Sequence, residues 1–306
     1  MDTITRLLVN LSDEADHDVL LHKSKILAAM TGSHIELFQC CYNAALSSLN
    51  LLKSEARESV QHQQMQRTEA HLDLLAKRLN RSGIATDTDV TWSRHQAEGV
   101  ITKVERYAPD LVLHQLAQHP YLLHYLLAPQ DWQILRECPL PLLLTKDNPW
   151  PEHLRIAAAI DPFHLHDEEG SLDNQILDTA EMLATLLGGE LHVVHAFNVL
   201  PQSAIIEEGG VADYRGLQEK VSERHKDRLH QIITEFDPDL EPSCIHLLEG
   251  ETHKVLPRFA EEERIDIMVM GFFARGFIDR LLIGSSVERM LDSLPCDIMV
   301  VKKPVS

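Results

Sequence analysis

The sequence predicts two tandem α/β domains, each a five-stranded parallel sheet with helices on both faces. Three observations lead there. Residues 110–146 align without a gap on residues 266–302 at a constant offset of 156, so the 306-residue chain contains an internal repeat. Each half alternates short apolar runs with longer stretches of helical periodicity, as parallel strands joined by crossover helices do. Aromatic residues make up only 5% of the chain, so the cores must rest on Leu, Ile, Val and Ala, which suits helix-covered sheets better than stacked ones.

In the first half the order reads RLLVNL, a helix ending near Gly32, HIELFQCC, a long helix to about Arg81, and ATDTDVTW. A helix from Ala97 to Tyr107, DLVLH, a loop, a helix from Gln130 and PLLLTK complete it. The second half repeats this with strands at 154–160, 190–197, 243–249, 266–271 and 297–302. Between the first two, Ser171 is positioned to cap a helix whose apolar face is Ile176, Leu177, Ala180, Leu183 and Leu187, ended by Gly188 and Gly189. A more polar helix runs from about Val211 to Phe236, Thr252 caps the next, and Ser285 with Glu288 has capping-box spacing. The segment DNPWPEH (147–153) is the joint between a domain of residues 1–148 and one of 149–306. Its two prolines predict a short, stiff connection and domains that pack as an internal pseudo-dimer.

Charge narrows the function classes. The net charge is −19, divided as −4 up to residue 150 and −15 after it, a surface that repels duplex nucleic acid. No segment approaches the roughly 20 apolar residues of a membrane span, and the N-terminus has no signal-peptide pattern, so the expected location is the cytoplasm. Five cysteines without a CxxC spacing predict buried thiols, with adjacent Cys40 and Cys41 on opposite faces of a strand.

The chemistry-bearing pattern lies between the last two strands of the second half. Gly271 directly follows a strand, and Gly284-Ser285 opens a helix 13 residues later. Loop amides together with a helix N-terminus make a seat for phosphate, and glycine lets backbone approach it closely. In the first half Gln115, Pro120 and Ala128 stand at the positions of Gly271, Gly276 and Gly284, and Pro129 replaces Ser285. Proline has no N–H to offer a phosphate oxygen but fits the first turn of a helix, so the fold is kept while a triphosphate site is lost or changed.

The spacing Gly271-x2-Ala274-x9-Gly284-Ser285, set in a repeated α/β unit, resembles the universal stress protein family, whose nucleotide-binding members carry G-x2-G-x9-G-[S/T] here. The resemblance covers the whole chain, and the segment DWQILRECPLPLLLTKDNPWPE with the domain order resembles the tandem E subfamily. It implies a doubly wound sheet of order 3-2-1-4-5 in each domain, a cytoplasmic stress-response role, including resistance to DNA damage, and a site for ATP or a related adenine nucleotide, with Mg²⁺ on the triphosphate. Carried over, Asp161-Pro162 after the first strand matches the acid that meets adenosine, with Asn10 as its first-half counterpart. His195 and Ala196 lie near the base, Met270 near the ribose, and Gly271, Ala274, Gly276, Gly284, Ser285 and Ser286 form the phosphate loop, with Arg275 and Arg280 to assist. Ala274 departs from the pattern, at a cost of about 1 kcal/mol if left-handed φ is required there.

Other readings stand beside this one. The apolar loop HQLAQHPYLLHYLLAP suggests a nucleotide-free scaffold, or a module that binds a lipid-like molecule or a protein. His164, His166 and Asp167 invite a zinc reading, but spacing supplies no third ligand and a solvated loop accounts for them. His192 and His195, three apart on a strand, face opposite sides and do not chelate together. No GxSxG, HExxH or GxxxxGK[ST] occurs, so no catalytic residue is assigned, and at most slow ATP hydrolysis is expected. Protein partners and further homodimerisation are left open by the sequence.

Overall fold

The computed structural model describes residues 4–12, 17–43, 54–116, 129–163, 171–198, 214–272 and 286–302. They form two compact units, Met1–Pro151 and Glu152–Lys303. The first runs β1 (Arg6–Leu11), α1 (Asp18–Thr31), β2 (His34–Cys41), α2 (Ser54–Arg81), β3 (Thr86–Trp92), α3 (Gln96–Tyr107), β4 (Leu111–Gln115), α4 (Pro129–Glu137) and β5 (Leu142–Thr145). The second runs β6 (Arg155–Ala159), α5 (Ser171–Leu187), β7 (Glu190–Phe197), α6 (Tyr214–Phe236), a 3₁₀ turn (Pro242–Cys244) and β8 (Ile245–Glu249). It continues with α7 (Thr252–Glu262), β9 (Ile267–Phe272), α8 (Ser286–Ser293) and β10 (Asp297–Lys302). Within each unit all pairings are parallel, and the orders are β3-β2-β1-β4-β5 and β8-β7-β6-β9-β10. The expected order 3-2-1-4-5 is therefore present twice.

The central strands are apolar over most of their length because helices cover both faces. Leu7, Leu8 and Val9 of β1, Leu111 to Leu113 of β4, and Ile156 to Ala158 of β6 are fully buried, as are Ile267 to Val269 of β9. The edge strands β3 and β8 are largely half-buried, which explains why TDTDVTW and IHLLE carry polar residues. All five cysteines are buried thiols. Cys40 faces Gly99 of α3 while Cys41 Sγ lies 3.3 Å from Thr68 Oγ1 of α2, on opposite faces as the strand period requires.

Helix boundaries differ from expectation by a residue or so. Thr252 is the first helical residue of α7 rather than its cap; the Glu251 carbonyl accepts the Val255 N–H, so Glu251 takes the cap position, without a side-chain bond. Ser171 is likewise the first residue of α5, and Pro129 opens α4, where its missing N–H costs nothing. Gly32 and Gly188 end α1 and α5 with φ of 72° and 62°, a conformation that a Cβ disfavours.

An aspartate before the fourth strand of each unit ties it to the first. The Asp110 carboxylate accepts the Thr5 and Arg6 N–H groups at 2.7 and 2.9 Å and the Thr5 hydroxyl at 2.8 Å. Asp266 accepts the Arg155 N–H at 2.8 Å. Burial works to raise the Asp110 pKa, but the bonds from Thr5 and Arg6 prevail and hold it below the ordinary carboxylate value. A depressed pKa stabilises the fold above the unfolded value and stops doing so as pH falls through the folded one. Asp110→Asn is expected to lower stability by about 1–3 kcal/mol at neutral pH. In urea denaturation the gap from wild type should narrow as pH drops below the ordinary carboxylate range.

Lys103 breaks the apolar face of α3. Its ammonium is buried, paired with Glu36 of β2 and, at 2.9 Å, with Asp89 of β3, while Arg106 also pairs with Asp89. Removing one member of such a group strands the other charges in a poor solvent. Lys103→Met is expected to cost about 3–5 kcal/mol, read from the denaturation midpoint.

Candidate functional site

In a doubly wound sheet, ligands bind beyond the carboxyl ends of the strands where the winding reverses, and in the second unit that point lies between β6 and β9. The ladder pairs Ile156 with Ile267 through Ala159 with Met270, so the segment after β6 emerges beside Gly271 and Phe272. The first turn of α5 closes on both. The Asp173 carboxylate accepts the Asp161 N–H at 3.0 Å. Leu172 and Ile176 lie on Gly271 so closely that a Cβ there would sit 2.9 Å from Leu172 Cγ and 3.2 Å from Ile176 Cδ1. A Cβ at 271 would thus push Leu172 and Ile176 aside, so helix packing favours glycine there. Met270, one residue back, points to the opposite face and is buried.

The other side of the crevice is aromatic. His195 Nδ1 lies 3.1 Å from the Ile160 carbonyl, which only accepts, so Nδ1 carries the proton. Nε2 is then the acceptor for His225 Nδ1–H of α6, at 2.8 Å. Burial lowers both histidine pKa values; the Ile160 carbonyl and Asp161 partly restore that of His195, and Asp161 partly restores that of His225. The pair is neutral at neutral pH. Phe163 and Phe197 flank His225 with ring centres 4.3 and 4.5 Å away, the latter stacked. The Phe163 N–H bonds Asp161 Oδ1 at 3.3 Å, and Arg228 Nε bonds the Pro162 carbonyl at 3.2 Å. Pro162 and Phe163, with α6 side chains of both signs (Lys220, Arg224 and Arg228 beside Glu223 and Asp227), line an open depression of about 600 Å³. At the end of β10, Lys302 is paired in register with Phe272 and holds its ammonium 5.7 Å from that ring, which puts a cation next to Gly271.

Asp161, Pro162, His195, Met270 and Gly271 therefore gather at one edge of the sheet. Ala196 is there too, half-buried, with its side chain on the face opposite His195. Ser286 begins α8. Ala274, Gly276, Gly284 and Ser285 lie outside the described residues, as do Arg275, Arg280, His164, His166, Asp167 and the first-unit loop 117–128. Sequence reasoning missed Phe163, His225 and Lys302; the first two carry no spacing signal because they meet only through the fold.

The first unit fills the matching crevice with side chains. Gln115, at the position of Gly271, is buried; its amide donates to Asp147 Oδ1 at 2.8 Å and its carbonyl lies 3.2 Å from His17 Nδ1. Beside it Asn10 Nδ2–H donates to His114 Nδ1 at 2.8 Å, and His114 Nε2–H donates to Asp131 at 2.9 Å, a buried chain across β1, β4 and α4. One expectation fails. Leu7 pairs with Leu111 as Ile156 pairs with Ile267, so Asn10 corresponds to Ala159, and Ser12, not Asn10, stands where Asp161 does. The crossover between the first two strands is longer in the second unit, so the constant offset does not reach back to β1.

The same architecture is found in known proteins. The universal stress protein family matches residues 3–146 and again residues 155–302, and the chain belongs to that family, as a tandem member. Among its relatives, Universal stress protein E of Escherichia coli strain K12 is 26% identical over 297 residues, which cover 97% of this chain and 93% of that protein. Universal stress protein E of Photorhabdus laumondii is 25% identical over 306 residues, covering 99% and 96%. A universal stress protein structure from Pseudomonas aeruginosa UCBPP-PA14 superimposes with a TM-score of 0.73 at 25% identity, over 98% of this chain and 93% of that one. One from Archaeoglobus fulgidus DSM 4304 shares the fold, with a TM-score of 0.66 at 16% identity, over 97% and 98%. Among the described residues no helix is long and apolar enough to cross a membrane.

The packing of α5 on β9 is open to a direct test. Gly271→Ala is expected to lower stability by about 1–3 kcal/mol without any ligand present, because Leu172 and Ile176 must move. Denaturation of the ligand-free protein measures it.

Proposed function

We propose that this stress-response protein binds ATP, or a related adenine nucleotide, in its second unit, and that the nucleotide acts as a regulatory ligand rather than a substrate. The observation that carries the reading is the contrast at one position of the repeat. The second unit offers only backbone at Gly271, covered on its Cβ side by Leu172 and Ile176, while the first carries a buried, doubly bonded Gln115 there. In this reading Asp161 holds the ribose end of the adenosine. The backbone near His195 and Ala196 frames the base, and the loop from Gly271 to Ser285 with Ser286 takes the phosphates. Lys302 and a Mg²⁺ ion held mainly by the triphosphate offset charge in a half whose net charge is −15. Phosphate bound in that loop changes a surface that partner proteins read, in a cytoplasmic response that includes DNA damage.

Isothermal titration of Mg·ATP into the full chain tests this. One saturable equivalent is expected, lost in Gly284→Pro, which removes an amide from the phosphate seat. No heat of binding in the wild type overturns the proposal and turns attention to the apolar segment 114–129 of the first unit.

A further inference from the structure

The opposite edge of the second sheet, at the amino ends of β7 and β8, holds an unusual group of side chains. Glu190 and His192 alternate on β7, and Cys244 and His246 alternate across the start of β8, so all four share one face. Glu190, His192 and Cys244 each bring a ligand-type atom within 4.8 Å of the other two. His192 Nε2 lies 3.2 Å from Glu190 Oε2, and Cys244 Sγ lies 3.6 Å from Glu190 Oε1. Zinc bonds of about 2.0–2.3 Å in tetrahedral array put an O/N pair about 3.3 Å apart and an O/S pair about 3.6 Å apart. The Glu190 carboxylate has those separations through two different oxygens, Oε2 toward His192 and Oε1 toward Cys244, so it must turn for one oxygen to serve a metal beside both.

Its surroundings resemble those of a ligand set. His192 Nδ1 lies 3.0 Å from His246 Nε2, and the rings stack with centres 5.2 Å apart. When a metal takes the lone pair of His192 Nε2, Nδ1 carries the proton and donates it to His246, the usual arrangement behind a histidine ligand. Phe259 of α7 covers His246 with ring centres 4.6 Å apart. His192 and Cys244 are buried, whereas the Glu190 side chain is 51% exposed and opens the site to solvent. Arg155 also pairs with Glu190 Oε2, at 3.3 Å, which leaves Oε1, the oxygen facing Cys244, for a metal.

The repeat shows a cation at the corner of the first sheet adjoining the equivalent place. The registers equate Glu190, His192, Cys244 and His246 with His34, Glu36, Asp87 and Asp89 of the first unit. There the chain provides its own positive centre, the buried Lys103 ammonium between Glu36 and Asp89, with His34 3.1 Å from Asp87. The position of Lys103 in α3 is that of Phe259 in α7. In the second unit a ring replaces the lysine and the imidazoles of His192 and His246 replace the carboxylates that held it, while Glu190, His192 and Cys244 take the places of His34, Glu36 and Asp87 as a mixed oxygen, nitrogen and sulfur set that suits a borderline-soft divalent ion.

We propose that Glu190, His192 and Cys244 form a binding site for a divalent transition metal of the zinc type, with water as fourth ligand and His246 positioning His192. Binding forms one bond each to Glu190 Oε1, His192 Nε2 and Cys244 Sγ, and the Cys244 proton leaves to solvent. The site is remote in the sheet from Gly271 and independent of nucleotide.

The test uses the full chain, freed of metal by a chelator and titrated with Co²⁺. One equivalent should produce tetrahedral visible bands and a near-ultraviolet thiolate-to-cobalt charge-transfer band, and Zn²⁺ should remove both. Cys244→Ser should abolish the charge-transfer band, while Cys296→Ser, at a remote buried thiol, should keep it. His246→Leu should keep the band and weaken Co²⁺ binding roughly 10- to 100-fold. Should Cys244→Ser fail to fold, Glu190→Gln, at a half-exposed side chain, decides the matter through an expected loss of affinity of about tenfold or more. No charge-transfer band in the wild type overturns the proposal. So does a band that persists in Cys244→Ser, or, where that variant does not fold, unchanged Co²⁺ affinity in Glu190→Gln.

Discussion

The pairing of a unit's first strand with its fourth is the contact on which the rest of each unit depends. β6 and β9 are neighbours in the sheet but far apart in sequence, and the connections on either side of them wind in opposite directions. That leaves a crevice at their carboxyl ends with helix packing on one side of it. The pairing is reinforced at its amino end by Asp266 on the Arg155 amide, as Asp110 reinforces the same pairing in the first unit. Register follows from that anchor, and register sets Asp161 beside Gly271. A slip of one residue would exchange the faces of every side chain on the strand.

Duplication has allowed the two copies to spend the same positions differently. At the carboxyl edge, the first unit links Asn10, His114, Asp131 and Gln115 in side-chain hydrogen bonds, while the second has Gly271 packed under Leu172 and Ile176. At the amino edge the first unit encloses an ammonium between carboxylates, and the second assembles imidazoles, a thiol and one carboxylate around no lysine. Both contrasts follow one rule of solvation, that a buried polar group must have a partner, supplied either by the chain or by a ligand. The copies share a fold because the apolar strands are common to both, and they differ in chemistry where strands end.

Much of this was legible in the residues themselves. Continuous apolar runs such as DIMVMG and DLVLH reveal parallel strands buried on both faces, and glycines after helical stretches reveal where α1 and α5 stop. Of the candidate site, Gly271 stands out by its place at the end of a strand, and Asp161, Pro162, His195 and Met270 were named through the family resemblance. His225 and Phe163 escaped notice because their partner, His195, is distant in sequence. Glu190-x-His192 and Cys244-x-His246 escaped for the same reason: each pair alone is an ordinary alternation, and only strand pairing makes them a group. The Asn10 assignment failed because a gapless alignment of the later strands carries no information about an insertion nearer the start.

Sequence by itself determined the class of fold and its duplication, since these rest on local periodicity and on similarity between halves; the strand order followed from the family resemblance. It also determined which half keeps the glycines of a phosphate loop. Tertiary structure alone decided why packing favours glycine at 271, which is the approach of Leu172 and Ile176 from a separate helix. It alone decided that Gln115 fills the corresponding place in the first unit, and that a lysine and a metal-type cluster occupy equivalent corners of the two sheets. The reason is physical: periodicity is a property of one segment, whereas steric exclusion, solvation of a buried charge and convergence of ligand atoms belong to segments brought together from different parts of the chain.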